Sequence, residues 1–218
     1  MSLSPSARRE LQAIGFLRTA LADAEDILRL GRSLGEVIAT RPGGDLLDVL
    51  TPKDRIKALP KSLSALHGTG PFPFHTDAAH HRRPPRWLIL RCERPGPSDR
   101  PTHLVDSAML KLSPADRRAL QRAVWWVRSG ARAFPASIIS TIGGAPLIRY
   151  DPGCMTPADP SFVPSKAILE NALSTTAPAA LQWEQGEAVV IDNWRFLHAR
   201  AKGDGDAGKR ILQRVLVR

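Results

Sequence analysis

His75, Thr76 and Asp77 stand together as His-x-Asp. Residues i and i+2 of an extended strand share a face, so this imidazole and this carboxylate could grip one metal ion. The triplet alone is a common chance occurrence and reads as a solvated polar patch. Its surroundings change that reading. FPFHTD sets aromatic rings and a proline just before the pair, as a pocket wall requires. A third ligand is available in His198, at the end of the apolar stretch VVIDNWRFLHAR. Two histidines and one carboxylate on one face of an octahedron leave the remaining positions open. That is the facial triad of oxygen-activating iron(II) sites, whose open positions take a bidentate co-substrate and dioxygen.

A co-substrate carboxylate needs a cation. Arg210 lies twelve residues beyond His198, across a turn and on the last apolar strand. Its guanidinium fork can hold a carboxylate through two hydrogen bonds. Thr102 opens a strand after the His-Thr-Asp region and could add a hydroxyl. Arg214, four residues past Arg210, shares its strand face and is expected to point inward.

The elements that must position these groups read as follows. Residues 5–31 carry Leu11, Ile14, Leu17, Leu21, Ile27 and Leu28 near one stripe, which predicts a single amphipathic helix ending at Gly31. Thr51 is placed to cap a second short helix. From Ser62 the chain turns rich in Gly and Pro and loses helical period. RWLILRC and THLVDS read as strands, with the turn PGPSDRP between them. LSPADRRALQRAVWWVRSG reads as a helix begun at Ser113-Pro114, and this puts Trp125 and Trp126 on it. AFPASIISTI and APLIRYD form a strand pair joined at Gly143 and Gly144. Residues 160–177 form a helix opened by Pro164 or Ser165. EAVVIDNWRFLHAR and KRILQRVLVR close the chain as two strands, with KGDGDAG as the turn. Helices first, then strands with inserted helices, predict a mainly β fold with flanking helices. One domain over 1–218 is expected, with residues 1–60 as a helical part packed on a core formed by 61–218.

The triplet HTD, a strand bearing a Thr, then DNW-x-x-x-HAR and R-I-L-Q-R resemble the iron(II)/2-oxoglutarate dioxygenases, in the subgroup of taurine dioxygenase and clavaminate synthase. The likeness runs from about Ser62 to the last residue. It implies a double-stranded β-helix core, a distorted jelly roll of cupin-like form. It implies that His75, Asp77 and His198 hold Fe(II), that Arg210 binds the distal carboxylate of 2-oxoglutarate with help from Thr102, and that Arg214 reaches an acidic group of the substrate. The activity implied is hydroxylation of an unactivated C–H bond in a small polar metabolite, such as an amino acid or derivative. 2-Oxoglutarate and dioxygen are consumed, and succinate and carbon dioxide are released. The chain is shorter than typical members, which implies short loops over the site.

Other features read more plainly. Gly203, Gly205 and Gly208 mimic a dinucleotide or phosphate loop. Arg210 stands where Ser or Thr should meet magnesium, and Asp204 and Asp206 would repel phosphates, so a hairpin turn is favoured. Cys92 and Cys154 lack zinc spacing and read as free thiols. No apolar run spans a bilayer and no secretory signal opens the chain, so a cytoplasmic location is expected. The net charge of +10 raises a second reading: a basic nucleic-acid-binding or regulatory protein on a jelly-roll scaffold with a degenerate metal site. The scattered arginines and the intact ligand set favour the oxygenase. His80 and His81 read as donors behind the ligand pair or as a solvated turn, His67 as lining the pocket mouth or structural, and Arg149-Tyr150-Asp151 as a substrate contact or an ordinary strand end; Asp192 and Asn193 are placed in hydrogen bonds behind the distal ligand.

Overall fold

A computed structural model describes residues 2–58, 62–96, 100–201 and 209–218. Gly203, Gly205 and Gly208, with the hairpin expected there, lie outside the described residues. Elements are numbered in chain order. The larger sheet is antiparallel and runs β1 (Phe16–Ala20), β13 (Glu187–Asp192), β5 (Trp87–Arg94), β15 (Ile211–Val217) and β2 (Val37–Ile38), with β3 (Asp48–Leu50) also paired to β15. The smaller runs β12 (Ala179–Leu181), β6 (Thr102–Asp106), β14 (Phe196–Arg200) and β4 (Phe72–His75). These two sheets face each other as the jelly-roll core.

Side-chain alternation builds the layers. In β13, Val189 and Ile191 face the inter-sheet core with Leu88, Leu90, Leu104, Leu212 and Leu216. Ala188 and Val190 face the other way, toward Ile27, Leu30, Val215 and Val217. That outer layer is covered by α1 (Pro5–Ile14) and α2 (Ala24–Leu34). A third cluster gathers α4 (Pro114–Arg122), α5 (Val163–Ser174) and the sheet of β11 (Met155–Pro157), β7 (Trp125–Ser129) and β8 (Arg132–Ala136) around Trp125 and Tyr150. The hairpin of β9 (Ile139–Ile142) and β10 (Ala145–Ile148) has the expected Gly143-Gly144 turn. A short helix α3 (Leu63–His67), capped by the Ser62 hydroxyl, precedes β4.

Several expected elements differ. The helix over 5–31 is two helices with β1 between them. Gly15, at φ +86°, stops α1, and a Cβ there would lie 2.6 Å from the Phe196 ring. The apolar residues Leu17 and Leu21 fall on the helical stripe by spacing, yet β1 pairs with β13, and β1, β2 and β3 bring strands of the N-terminal part into the larger sheet. Gly31 does not end a helix; it lets α2 approach the sheet, where a Cβ would meet Val215 and Val37 at 2.9 Å. Thr51 caps nothing, and a single 3-10 turn, Arg55–Lys57, follows it. Trp125 and Trp126 lie on a strand because Ala123 ends α4, and the β-formers WWV pair with β8 and β11. EAVVIDNWRFLHAR is two strands in two different sheets, parted by the turn at 193–195. Cys92 and Cys154 are free thiols, and no described helix is long and apolar enough to cross a membrane.

Candidate metal centre

His75 ends β4 and His198 sits opposite it on β14, in register. Cross-strand partners share a face, which brings the two rings to a centroid separation of 4.2 Å. The Nδ1 proton of His75 is donated to the Pro73 carbonyl at 2.9 Å, which fixes the tautomer and leaves Nε2 bare as an electron-pair donor. Beyond β4 the chain turns sharply. Ala78 takes φ +51°, a conformation that costs an L residue roughly 1–2 kcal/mol.

The turn is held from behind. The Thr76 hydroxyl donates to the Ile148 carbonyl at 3.0 Å and accepts from the Tyr150 amide at 3.2 Å. Asn193 accepts from the Asp77 amide at 2.9 Å and donates to the carbonyls of Asp77 and Pro85. Arg149 donates to the carbonyls of Ala79, His81 and Arg82. Its role is to brace the turn after Asp77, and its burial pushes its pKa down to about 10.

The result is a buried set in which one ligand atom each from His75, Asp77 and His198 lie within 4.8 Å of one another. Burial opposes ionisation of Asp77, yet the charges of Arg214, His198 and His75 and the Arg214 hydrogen bond hold its pKa at about 2. Burial, and then His75, push His198 down to about 3. At neutral pH the centre therefore holds a carboxylate and a neutral imidazole, the forms that bind a cation. His198 Nε2 stands 3.8 Å from Asp77 Oδ2, two ligand atoms side by side rather than an ion pair. The buried Nδ1 of His198 has no hydrogen-bond partner among the described residues. Two imidazoles and a carboxylate suit Fe(II).

Arg210, expected on the strand face of Arg214, precedes β15, and the register shifts between Ile211 and Leu212, whereas Arg214 of β15 reaches the centre. Nη1 donates to Asp77 Oδ1 at 2.8 Å, Nε and Nη2 donate to Asp48 Oδ2, and Nη2 also meets the Thr40 hydroxyl. Only one N–H, on Nη1, is left for anything else. Arg210 is buried and donates Nη1 to the Arg100 carbonyl at 2.6 Å, two residues before Thr102. The Thr102 hydroxyl oxygen accepts from Trp183 Nε1 at 2.9 Å, so its own proton is available to an incoming acceptor.

Two arginines beside these escaped sequence reasoning. Arg200 pairs with Thr102 across β14 and β6, on the strand face that carries His198. Its position two residues after His198 is the signal that would have found it. It donates to the carbonyls of Gly68 and Gly70 and stacks 3.5 Å from the Phe72 ring centroid. Arg100 donates to the Thr69 carbonyl, and its buried Nε has no partner among the described residues. No carboxylate among the described residues pairs with Arg100, Arg200 or Arg210. Burial and mutual repulsion lower the pKa of Arg200 to about 9 and of Arg210 to about 10.

The remaining candidates are peripheral. His81 is fixed to the Thr40 carbonyl, His80 lies edge-on to His81, and His67 packs on Phe72. Trp125 is core, bonded to the Ser165 hydroxyl, and Trp126 is exposed. Asp192 caps the turn through the Trp194 amide.

The chain is similar to clavaminate synthase 2 of Streptomyces clavuligerus, 29% identical over 160 residues, which is 66% of this chain and 49% of that protein. The chain thus spans about half the length of this curated relative. The fold matches the non-heme iron oxygenase OrfP in complex with Fe, succinate and (3S)-hydroxy-L-Arg (TM-score 0.72, 19% identity, 99% of this chain and 80% of that one). It matches an asparagine oxygenase in complex with Fe(II), 2S,3S-3-hydroxyasparagine and succinate (TM-score 0.74, 17% identity, 98% and 79%). It also matches PvcB of Pseudomonas aeruginosa (TM-score 0.71, 21% identity, 96% and 78%). The model of the taurine catabolism dioxygenase TauD, TfdA family matches residues 7–216, and the chain belongs to that family.

Proposed function

We propose that the protein is an iron(II)- and 2-oxoglutarate-dependent oxygenase that hydroxylates a C–H bond of a small polar metabolite, an amino acid or a derivative. The observation that carries this reading is the buried set of His75, Asp77 and His198, with ligand atoms within 4.8 Å. These residues would hold Fe(II), with 2-oxoglutarate and dioxygen as its partners. Bound iron supplies dioxygen activation: 2-oxoglutarate is decarboxylated to succinate and carbon dioxide, one oxygen atom enters succinate, and the other enters the C–H bond as a hydroxyl.

The protein's own part is binding and orientation. Arg210, charged and without a carboxylate, would take the distal carboxylate of 2-oxoglutarate, and the free Thr102 proton would add a second hydrogen bond. Arg100 and Arg200 add positive potential without touching a carboxylate. The amino-acid class is supported by the fold match to the oxygenases of hydroxyarginine and hydroxyasparagine complexes. A contact between Arg214 and an acidic substrate group is confined to its one remaining N–H.

The test is a panel of L-amino acids, arginine and asparagine included, incubated aerobically with protein, Fe(II) and 2-oxoglutarate. Succinate release should rise with one panel member, whose mass should increase by one oxygen atom. Succinate without any oxidised product across the panel would refute the substrate class.

A further inference from the structure

Asp48 and Thr40 belong to the first 60 residues, outside the motifs that resemble the oxygenases. Asp48 lies on β3, directly opposite Arg214 of β15. Its Oδ2 accepts from Arg214 Nη2 at 2.9 Å and from Nε at 3.2 Å. The Thr40 hydroxyl donates to the same Asp48 oxygen at 2.5 Å and accepts from Arg214 Nη2 at 3.0 Å. A hydroxyl can do both at once. Two of the three guanidinium nitrogens are thereby fixed away from the centre, and only Nη1 reaches Asp77, at Oδ1.

An unrestrained guanidinium binds a carboxylate best as a two-point fork, covering both oxygens. Here the fork is spent on Asp48. Asp77 keeps Oδ2 uncovered, on the side facing His198 Nε2. Burial of Arg214 would be costly without partners, and Asp77 and Asp48 supply them.

We propose that Asp48, with Thr40, is a positioning residue of the metal centre: it holds Arg214 so that the guanidinium caps one oxygen of Asp77 and leaves the other to the metal. This rests on the metal-site reading above. Capping Oδ1 makes Asp77 a one-oxygen ligand and keeps the remaining coordination positions for co-substrate and dioxygen. Without Asp48, Arg214 swings onto both oxygens and competes with the cation.

The test is titration of the full chain with Mn(II), a divalent ion of similar ligand preference, by calorimetry without 2-oxoglutarate. Asp48→Asn should weaken Mn(II) binding by about 10–100-fold, the range for residues that orient a ligand from behind. In an Arg214→Gln background the same change should have no further effect, because there is no fork to release. Thr40→Val, a smaller change at a half-buried position, should weaken binding less than Asp48→Asn, and it carries the test if Asp48→Asn does not fold. Wild-type affinity in Asp48→Asn, or an equal loss in both backgrounds, would overturn the proposal. His75→Ala separates the two readings. If it loses Mn(II) while Asp48→Asn does not, only the Asp48 role falls; if it retains wild-type affinity, the metal site itself falls.

Discussion

Arg210 carries its charge into a buried position where, among the described residues, a backbone carbonyl meets it and no carboxylate does. A hydrogen bond to a charged partner contributes about 1.5–3 kcal/mol. Arg210→Gln should therefore raise the KM for 2-oxoglutarate by about 10–100-fold, with a smaller change in kcat at saturation, as measured by initial rates against co-substrate concentration. Asn193 works from behind the same centre. Asn193→Ala strips hydrogen bonds from the Asp77 amide and from the carbonyls of Asp77 and Pro85. Each buried group left unpaired costs about 1–3 kcal/mol, so a lowered midpoint in chemical denaturation is expected. At this scale the sequence was informative where chemistry follows spacing. The residue types His-x-Asp and the two arginines drew attention by spacing, but strand period does not account for their placement: Asp77 lies in the turn past the end of β4, and Arg210 just precedes β15. The ties through Asp48 and Thr40 were not, because they depend on β3 pairing with β15, which no local pattern announces.

At the scale of elements, α2 anchors the outer layer through Ile27 and Leu30, both fully buried. Leu30→Ala should cost about 2–5 kcal/mol of stability in urea unfolding, with the metal ligands themselves untouched. A loss below 1 kcal/mol would mean that the helix is not seated on β15 as described. The same region shows why the helical expectation over 5–31 failed. β1 carries Leu17 at a helical interval from Leu11 and Ile14, and spacing cannot register that Gly15 has turned the chain. The strands β5, β6 and β15 were legible because their buried runs are rich in branched residues between turn signals. Trp125 and Trp126 were misplaced because the α4 pattern runs on past Ala123 into residues that suit either state.

Across the whole molecule, the net charge of +10 is partly spent inside. Arg91, Arg100, Arg149 and Arg210 are buried, and each donates to backbone carbonyls. Arg86, Arg195 and Arg200 lie over aromatic rings. The basic balance thus serves the fold and the centre as well as the surface. Ligand linkage offers a global readout: at about 100 times its Kd, the metal alone should stabilise the fold by roughly 2.7 kcal/mol, a rise in Tm of roughly 5–10 °C in scanning fluorimetry. The central claim is most directly tested by succinate release from 2-oxoglutarate under air, comparing wild type with His75→Ala at matched Fe(II) and substrate. The predicted result is iron-dependent succinate from the wild type and none above background from His75→Ala. Equal succinate from both proteins, or none from either with metal bound, would contradict it.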